Sequence, residues 1–354
     1  MPYYPGLRRL GERCSFASQK LINLRAFMRE LPQRGNESEI RLATWNIRDF
    51  GGKRLNPQPR LPESLYYIAE ILSNFDLIAL QEVNRNMGEF RKMMQILGPS
   101  YDFIATDTSE YDGGNDERMA FVYDKRKVQF RGIAGEIVLP KKRQILQDAQ
   151  FVRSPFVVSF QAGWLKVDLC TVHLYYGADS GDKMKKRIAE IKAIGDFFIE
   201  RAKKEKANTI ILGDFNIVGP GHSTMAALEG TGFQVADGIK SIATNQNEDK
   251  HYDQIAYFSP DGLVRQTPGV AAGKVKFYDV VFNKESDYQD LIKKKPGRNA
   301  QPFNQWRTWQ MSDHYLLWTR LTTDFADEYL EKLAKNATTV NATVVAEPLA
   351  GATS

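Results

Sequence analysis

From Ile40 to Ile47 apolar residues fall on both sides of an extended chain, Ile40, Leu42 and Thr44 on one and Ala43, Trp45 and Ile47 on the other. Such a segment predicts a strand buried on both faces. The rhythm then turns helical, with Leu65, Ile68, Ala69 and Leu72 in one stripe and Pro62 suited to the first turn. Residues 76–81 predict a short strand, and residues 87–97 a helix that stops at Gly98-Pro99. Further strands are expected over 118–123, 156–160, 164–172, 209–212, 254–258, 275–281 and 315–321. A long basic helix runs from Lys183 to Lys204, and a last helix is expected over 325–334. Strands outnumber helices and the helices are inserted singly, which predicts sheets packed together and covered by helices.

The ends read differently. Phe16, Leu21, Leu24, Phe27, Met28 and Leu31 give residues 14–31 the pattern of a basic amphipathic helix, expected to dock on the main domain, with a transit peptide or membrane-surface helix as the alternative. Residues 32–39 carry turn formers and read as a linker. The tail from Asn336 lacks periodicity and is expected to be disordered. The division is therefore an extension over 1–38, a main domain over 39–322, and a C-terminal helix with tail over 323–354.

Composition narrows the picture only a little. Of 354 residues, 42% are hydrophobic and 26% charged, which is ordinary globular usage. A net charge of +5 against 48 basic and 43 acidic residues suits a polyanionic partner without requiring one. Two cysteines, Cys14 and Cys170, exclude a disulfide framework and argue against a structural zinc site. There is no run of eighteen apolar residues and no apolar core of a secretory signal at the N-terminus. The expectation is a monomer in the cytoplasm with no stable membrane insertion.

Candidate chemistry gathers at the ends of the expected strands. Asn46, Glu82 and His173 close three of them, Asp214 and Asn216 follow a fourth, Asp253 opens a fifth, and Asp313-His314 opens the last. Asp214 and Asn216 stand two apart, so in extended chain both side chains share a face. Hard oxygen donors such as Glu82, Asp313 and the Asn46 carbonyl suit Mg²⁺ or Mn²⁺, with Ca²⁺ as a further fit. His173 and His314 add groups that exchange protons near neutral pH.

The ordered set of motifs resembles the endonuclease/exonuclease/phosphatase (DNase I-like) family, and its wording is closest to deoxyribonuclease I. The segments are Leu42-Ala43-Thr44-Trp45-Asn46-Ile47, Leu80-Gln81-Glu82-Val83, Glu117-Arg118-Met119-Ala120-Phe121-Val122-Tyr123, Thr171-Val172-His173, Gly213-Asp214-Phe215-Asn216, Tyr252-Asp253-Gln254-Ile255 and Ser312-Asp313-His314-Tyr315. The resemblance implies an α/β four-layer sandwich, two mixed sheets face to face with helices outside. It implies Glu82 as principal metal ligand, with Asn46 beside it and Asp313 ligating or close by. It implies His314 as general base oriented by Asp253, and His173 paired with Glu117 at the phosphate. Asp214 and Asn216 would position the nucleophile and the phosphate, and the division of labour between Asp214 and His314 stays open.

The chain departs from deoxyribonuclease I where that enzyme meets its substrate. A groove-reading tyrosine is replaced by Asn115, and an arginine near the catalytic glutamate by Asn84, with Arg85 adjacent. A phosphate-contacting arginine is retained as Arg153. Substrate-deciding loops are expected at 51–60 with Lys53, Arg54 and Arg60, at Lys141-Lys142-Arg143, and at Lys293-Lys294-Lys295 with Arg298. Trp306 and Trp309 alternate with basic residues just before Asp313 and are candidates for stacking on bases.

The leading function is a nuclease cutting DNA, before RNA, through backbone contacts with little sequence preference. A phosphatase or phospholipase on a phosphorylated lipid or inositol competes with it, but no apolar docking hairpin is visible. A non-catalytic nucleic-acid-binding relative is the third reading, against which every expected catalytic residue type is present.

Overall fold

A computed structural model of the chain describes residues 1–32, 37–52, 59–108, 116–141, 145, 150–292 and 301–345, with side chains through 335. Its strands are β1 (Glu39–Phe50), β2 (Leu77–Asn84), β3 (Tyr101–Ala105), β4 (Glu117–Asp124), β5 (Gln129–Glu136), β6 (Phe156–Ala162), β7 (Leu165–His173), β8 (Thr209–Asp214), β9 (Gln234–Val235), β10 (Asp253–Phe258), β11 (Ala272–Val275) and β12 (Leu316–Thr322). Its helices are α1 (Arg13–Glu30), α2 (Pro62–Leu72), α3 (Gly88–Leu97), α4 (Gly181–Glu205), α5 (Ser223–Glu229), α6 (Phe303–Gln310) and α7 (Ala326–Val345).

Two six-stranded sheets form, ordered β11-β12-β1-β2-β4-β3 and β5-β6-β7-β8-β10-β9. Both are mixed: β1 runs parallel to β2, and β7 parallel to β8, while the other pairings are antiparallel. The alternation along β1 is the reason the sheets stack. Ile40 and Leu42 meet Leu169, Ile210 and Leu212 of the second sheet, while Ala43, Trp45 and Ile47 face α1, α2 and α3. A third apolar layer puts Cys170, Val172 and Ile211 against Ile191, Ile194 and Phe198 of α4. Helix, sheet, sheet and helix make the four-layer α/β sandwich.

The N-terminal helix belongs to the outer layer. Ala17, Leu21, Leu24 and Met28 are buried in the same core as α2, and Arg13 and Arg25 pair with Glu63 and Glu70. Burying four such side chains contributes roughly 1.5–3 kcal/mol for each of the larger ones.

Several expected elements shift. The strand expected over 275–281 is the short β11 followed by a 3-10 turn, Phe277–Asp279, because Phe277 turns inward to pack on Trp45 and Tyr315. The last helix continues to Val345 rather than stopping at residue 334, with neither glycine nor proline before Pro348 to end it. Lys53, Arg54, Lys142, Arg143, Lys293, Lys294, Lys295, Arg298 and Asn115 lie outside the described residues. Among the described residues no helix is long and apolar enough to cross a membrane.

Candidate active site

Strand register places the first three groups. β7 and β8 pair His173 beside Asp214, and β8 and β10 pair Asp214 beside Asp253. Gly213 makes that closeness attainable: its φ is +133°, and a Cβ there would lie 2.2 Å from the Val172 carbonyl oxygen. The facing sheet supplies Asn46 from β1 and Glu82 from β2. The β2–β4 register shifts between Leu80 and Val83, and Glu82 takes φ +62°, so a bulge aims its carboxylate across the gap.

Asn46 joins the two sheets. Its amide donates to Glu82 Oε1 at 2.8 Å and to Asp214 Oδ2 at 3.1 Å. Asp214 Oδ2 is then faced by His173 Nε2 at 3.6 Å and His314 Nε2 at 3.9 Å. Each histidine is backed by a carboxylate: His173 Nδ1 lies 3.0 Å from Glu117 Oε2, and His314 Nδ1 lies 2.7 Å from Asp253 Oδ2. The loop before β12 is tied in through Ser312, whose hydroxyl donates to the Asn46 carbonyl at 2.5 Å and accepts from the His314 N–H at 2.9 Å.

The surroundings set the charges. Burial, with Arg153 nearby, lowers His173 to about 4, so its ring is neutral near pH 7. Burial also opposes charge on His314, but Asp253 and Asp214 outweigh it and hold that imidazole well above its ordinary value. Burial lifts Asp214 against the pull of the two histidines. Burial would lift Glu82 too, yet His173, the Asn46 amide and the Asp49 N–H (2.9 Å) hold it below the usual carboxylate range.

The residues fit a divalent cation. Glu82 and Asp214 aim two carboxylates at one amide in a largely buried recess, and ligand atoms of Glu82, Glu117 and His173 all lie within 4.8 Å of one another. Oxygen donors of this hardness suit Mg²⁺ or Mn²⁺. Glu117 already spends its oxygens on His173 and Arg153, which leaves Glu82, with Asn46 and Asp214 beside it, as the group able to hold the ion.

Other sequence candidates fall at different distances from this centre. Asp313 is 43% exposed at the side chain and pairs with Arg48 at 3.5 Å. Arg85 lies on the surface beside Asp116, 3.2 Å away, and Arg153 is committed to Glu117. Trp309 is half-buried with the Arg48 guanidinium 3.8 Å from its ring centre. Trp306 is corrected: at 2% exposure it packs among Phe282, Tyr288 and Phe303 and offers no face to a base. The shared face of Asp214 and Asn216 is corrected as well. Asn216 has φ +54°, its N–H returns to Asp214 Oδ1 at 2.9 Å, and its side chain donates to the Leu174 carbonyl.

Arg60 is the largest surprise, being buried rather than a loop cation for substrate. It donates to the carbonyls of Ile47, Arg48, Asp49 and Met311. Arg48 and Asp49 both hold positive φ, +51° and +44°, and this turn is what brings the Asp49 N–H onto Glu82. A proline-and-glycine signal in the sequence around Arg60 marks only a loop; nothing there announces a clamp.

A family model for the Endonuclease/Exonuclease/phosphatase family matches residues 43–314. No curated protein matches the chain in sequence. Among solved structures, an endonuclease/exonuclease/phosphatase family protein from Bacteroides thetaiotaomicron is 17% identical, covers 81% of this chain and 98% of its own, and gives a TM-score of 0.52. A mannosyl-6-phosphatase from the same bacterium is 16% identical over 80% of this chain and 99% of its own, with a TM-score of 0.51. TDP2 from D. rerio, complexed with single strand DNA product, is 16% identical over 81% of this chain and 100% of its own, with a TM-score of 0.52. At these identities the likeness is one of fold. With the matched span taking in Asn46, Glu82, His173, Asp214, Asp253 and His314, the chain belongs to the endonuclease/exonuclease/phosphatase family, whose members hydrolyse phosphoric esters and typically depend on a divalent metal.

Proposed function

We propose that this chain is a divalent-metal-dependent phosphodiesterase acting on nucleic-acid backbone, DNA before RNA, with little sequence preference. The observation that carries the reading is Asp214 Oδ2 held between His173 and His314, one neutral and one charged, with Glu82 next to it through Asn46.

In hydrolysis a water oxygen bonds to phosphorus as the bond to the leaving oxygen breaks, and one proton passes from the water while another reaches the leaving group. His314 is already charged, so it is the poorer acceptor of the water's proton. That role goes to Asp214, whose raised carboxyl is a stronger base than a surface aspartate. The charged His314 faces the negative charge that develops on the phosphoryl oxygens. His173, neutral in the free protein, gains affinity for a proton when a phosphodiester anion arrives at Nε2; it takes that proton from solvent and gives it to the leaving oxygen. A divalent ion at Glu82 would supply Lewis-acid polarisation of a phosphoryl oxygen. At the rim, Trp309 and Arg48 support a polyanion with stacked bases.

The test is nicking of supercoiled plasmid with Mg²⁺ or Mn²⁺. Activity is expected to vanish with EDTA and to fall about a thousandfold in Asp214→Ala or His314→Ala. An untouched plasmid alongside phosphate release from an inositol or sugar phosphate would replace this reading with a phosphatase.

A further inference from the structure

Beside His314 the loop after β7 and the residue before β10 form an aromatic corner. The Tyr252 ring lies over the His314 imidazole, centroids 5.5 Å apart at 29°, and Tyr176 stands at 90° to Tyr252 with centroids 6.1 Å apart. Tyr176 is 43% exposed, although its own carbonyl and the N–H of Tyr175 before it are held by two buried charged side chains. Arg187 of α4 donates to the carbonyls of Tyr176, Ala178 and Asn216, and its guanidinium lies 4.5 Å from the Tyr176 ring centre. Glu190, one turn further along α4, accepts the Tyr175 N–H at 2.8 Å.

Burying an arginine and a glutamate is costly unless their hydrogen bonds are filled. Here several of those bonds go to residues 175–178 and hold that short segment still, while others tie it to Asn216 and Val152. A rigid exposed ring loses little freedom when a ligand covers it, which is how preorganisation raises affinity.

We propose that Tyr176 and Tyr252 form a stacking site for one unpaired nucleobase next to the scissile phosphate. The proposal rests on the nucleic-acid reading above and narrows it, toward single strands, strand ends or extruded nucleotides. A base inside a duplex is already stacked on both faces and has to leave the helix to reach the corner. The perpendicular rings suit a flat ligand, one ring offering its face and the other its edge.

The experiment compares wild type, Tyr176→Ala and Tyr176→Phe on a single-stranded oligonucleotide and on one lacking bases around the cleavage position. Removing the ring is expected to raise KM on the normal strand about tenfold, a loss on the scale of one base stack. It should erase the difference between normal and base-free strands, while Tyr176→Phe keeps that difference. Equal losses on both strands, or none on either, would overturn the stacking site. If wild type cleaves no nucleic acid, the functional reading fails on its own. Quenching of tyrosine fluorescence by oligo-dT in EDTA then decides the corner: binding lost in Tyr176→Ala supports it, and no binding by wild type overturns it.

Discussion

The two histidine–carboxylate pairs flank one aspartate and look alike in outline, yet one imidazole is neutral and the other charged. His173 rests 3.0 Å from Glu117 and His314 rests 2.7 Å from Asp253. The difference lies one residue further out. Burial lowers His173 to about 4, and Arg153, which sits on Glu117, adds to that lowering. Asp253 has one oxygen on His314, and its other finds no hydrogen-bond partner among the described residues, so its charge bears on the imidazole. A histidine's charge is thus set by what its partner is bonded to as much as by the partner.

Breaking the His314 side is expected to have the largest effect. His314→Ala should lower kcat about a thousandfold in the plasmid assay. Asp253→Asn keeps the shape but removes the charge, so NMR titration of the metal-free protein should find His314 falling toward its ordinary value. A raised histidine adds stability that is full below about pH 6.5 and is lost as pH rises through its folded value. The variant should therefore lose most of its stability deficit at high pH.

Next comes the support beneath Glu82. Arg60→Gln leaves four carbonyls without their donor and should weaken Mn²⁺ binding, read by calorimetry, about tenfold. An unchanged affinity in folded protein would sever the turn at Arg48 and Asp49 from the metal-binding role of Glu82.

A smaller effect sharpens the contrast directly. Arg153→Met removes one of the causes that lower His173, so its NMR midpoint in metal-free protein should rise from about 4 toward 6.5. The sign for stability is opposite to that of His314. Between about pH 6.5 and 4 the unfolded chain takes the proton first, so wild type loses stability as pH falls through that window. Raising the midpoint should narrow the loss, and a midpoint that stays put would show that burial alone sets it.

The smallest effect is expected from Asp313→Asn. Its half-exposed carboxylate faces Arg48, so kcat should change by less than about tenfold. A loss of Mn²⁺ binding would place Asp313 among the metal ligands.

Much of this site was legible along the chain. Asn46, Glu82, His173, Asp214 and His314 each adjoin an apolar strand, and period-two burial says where such a strand ends. Strand β5 was not legible, because its surface-edge residues carry no alternation. Nor was the turn at Asp214 and Asn216, since two residues two apart look the same in a strand and in a turn until the second takes φ +54°.

The sequence by itself determined which groups exist, the strand ends that bear them, and the layered packing, because those follow from local periodicity. Tertiary structure alone decided that Trp306 is core while Trp309 is rim, since one helix sends both into different neighbourhoods. It alone turned Arg60 from a loop cation into a clamp and gave two similar histidines unlike charges. Those outcomes depend on Met311, Arg153 and Glu117, residues distant along the chain that meet only after the sheets have stacked.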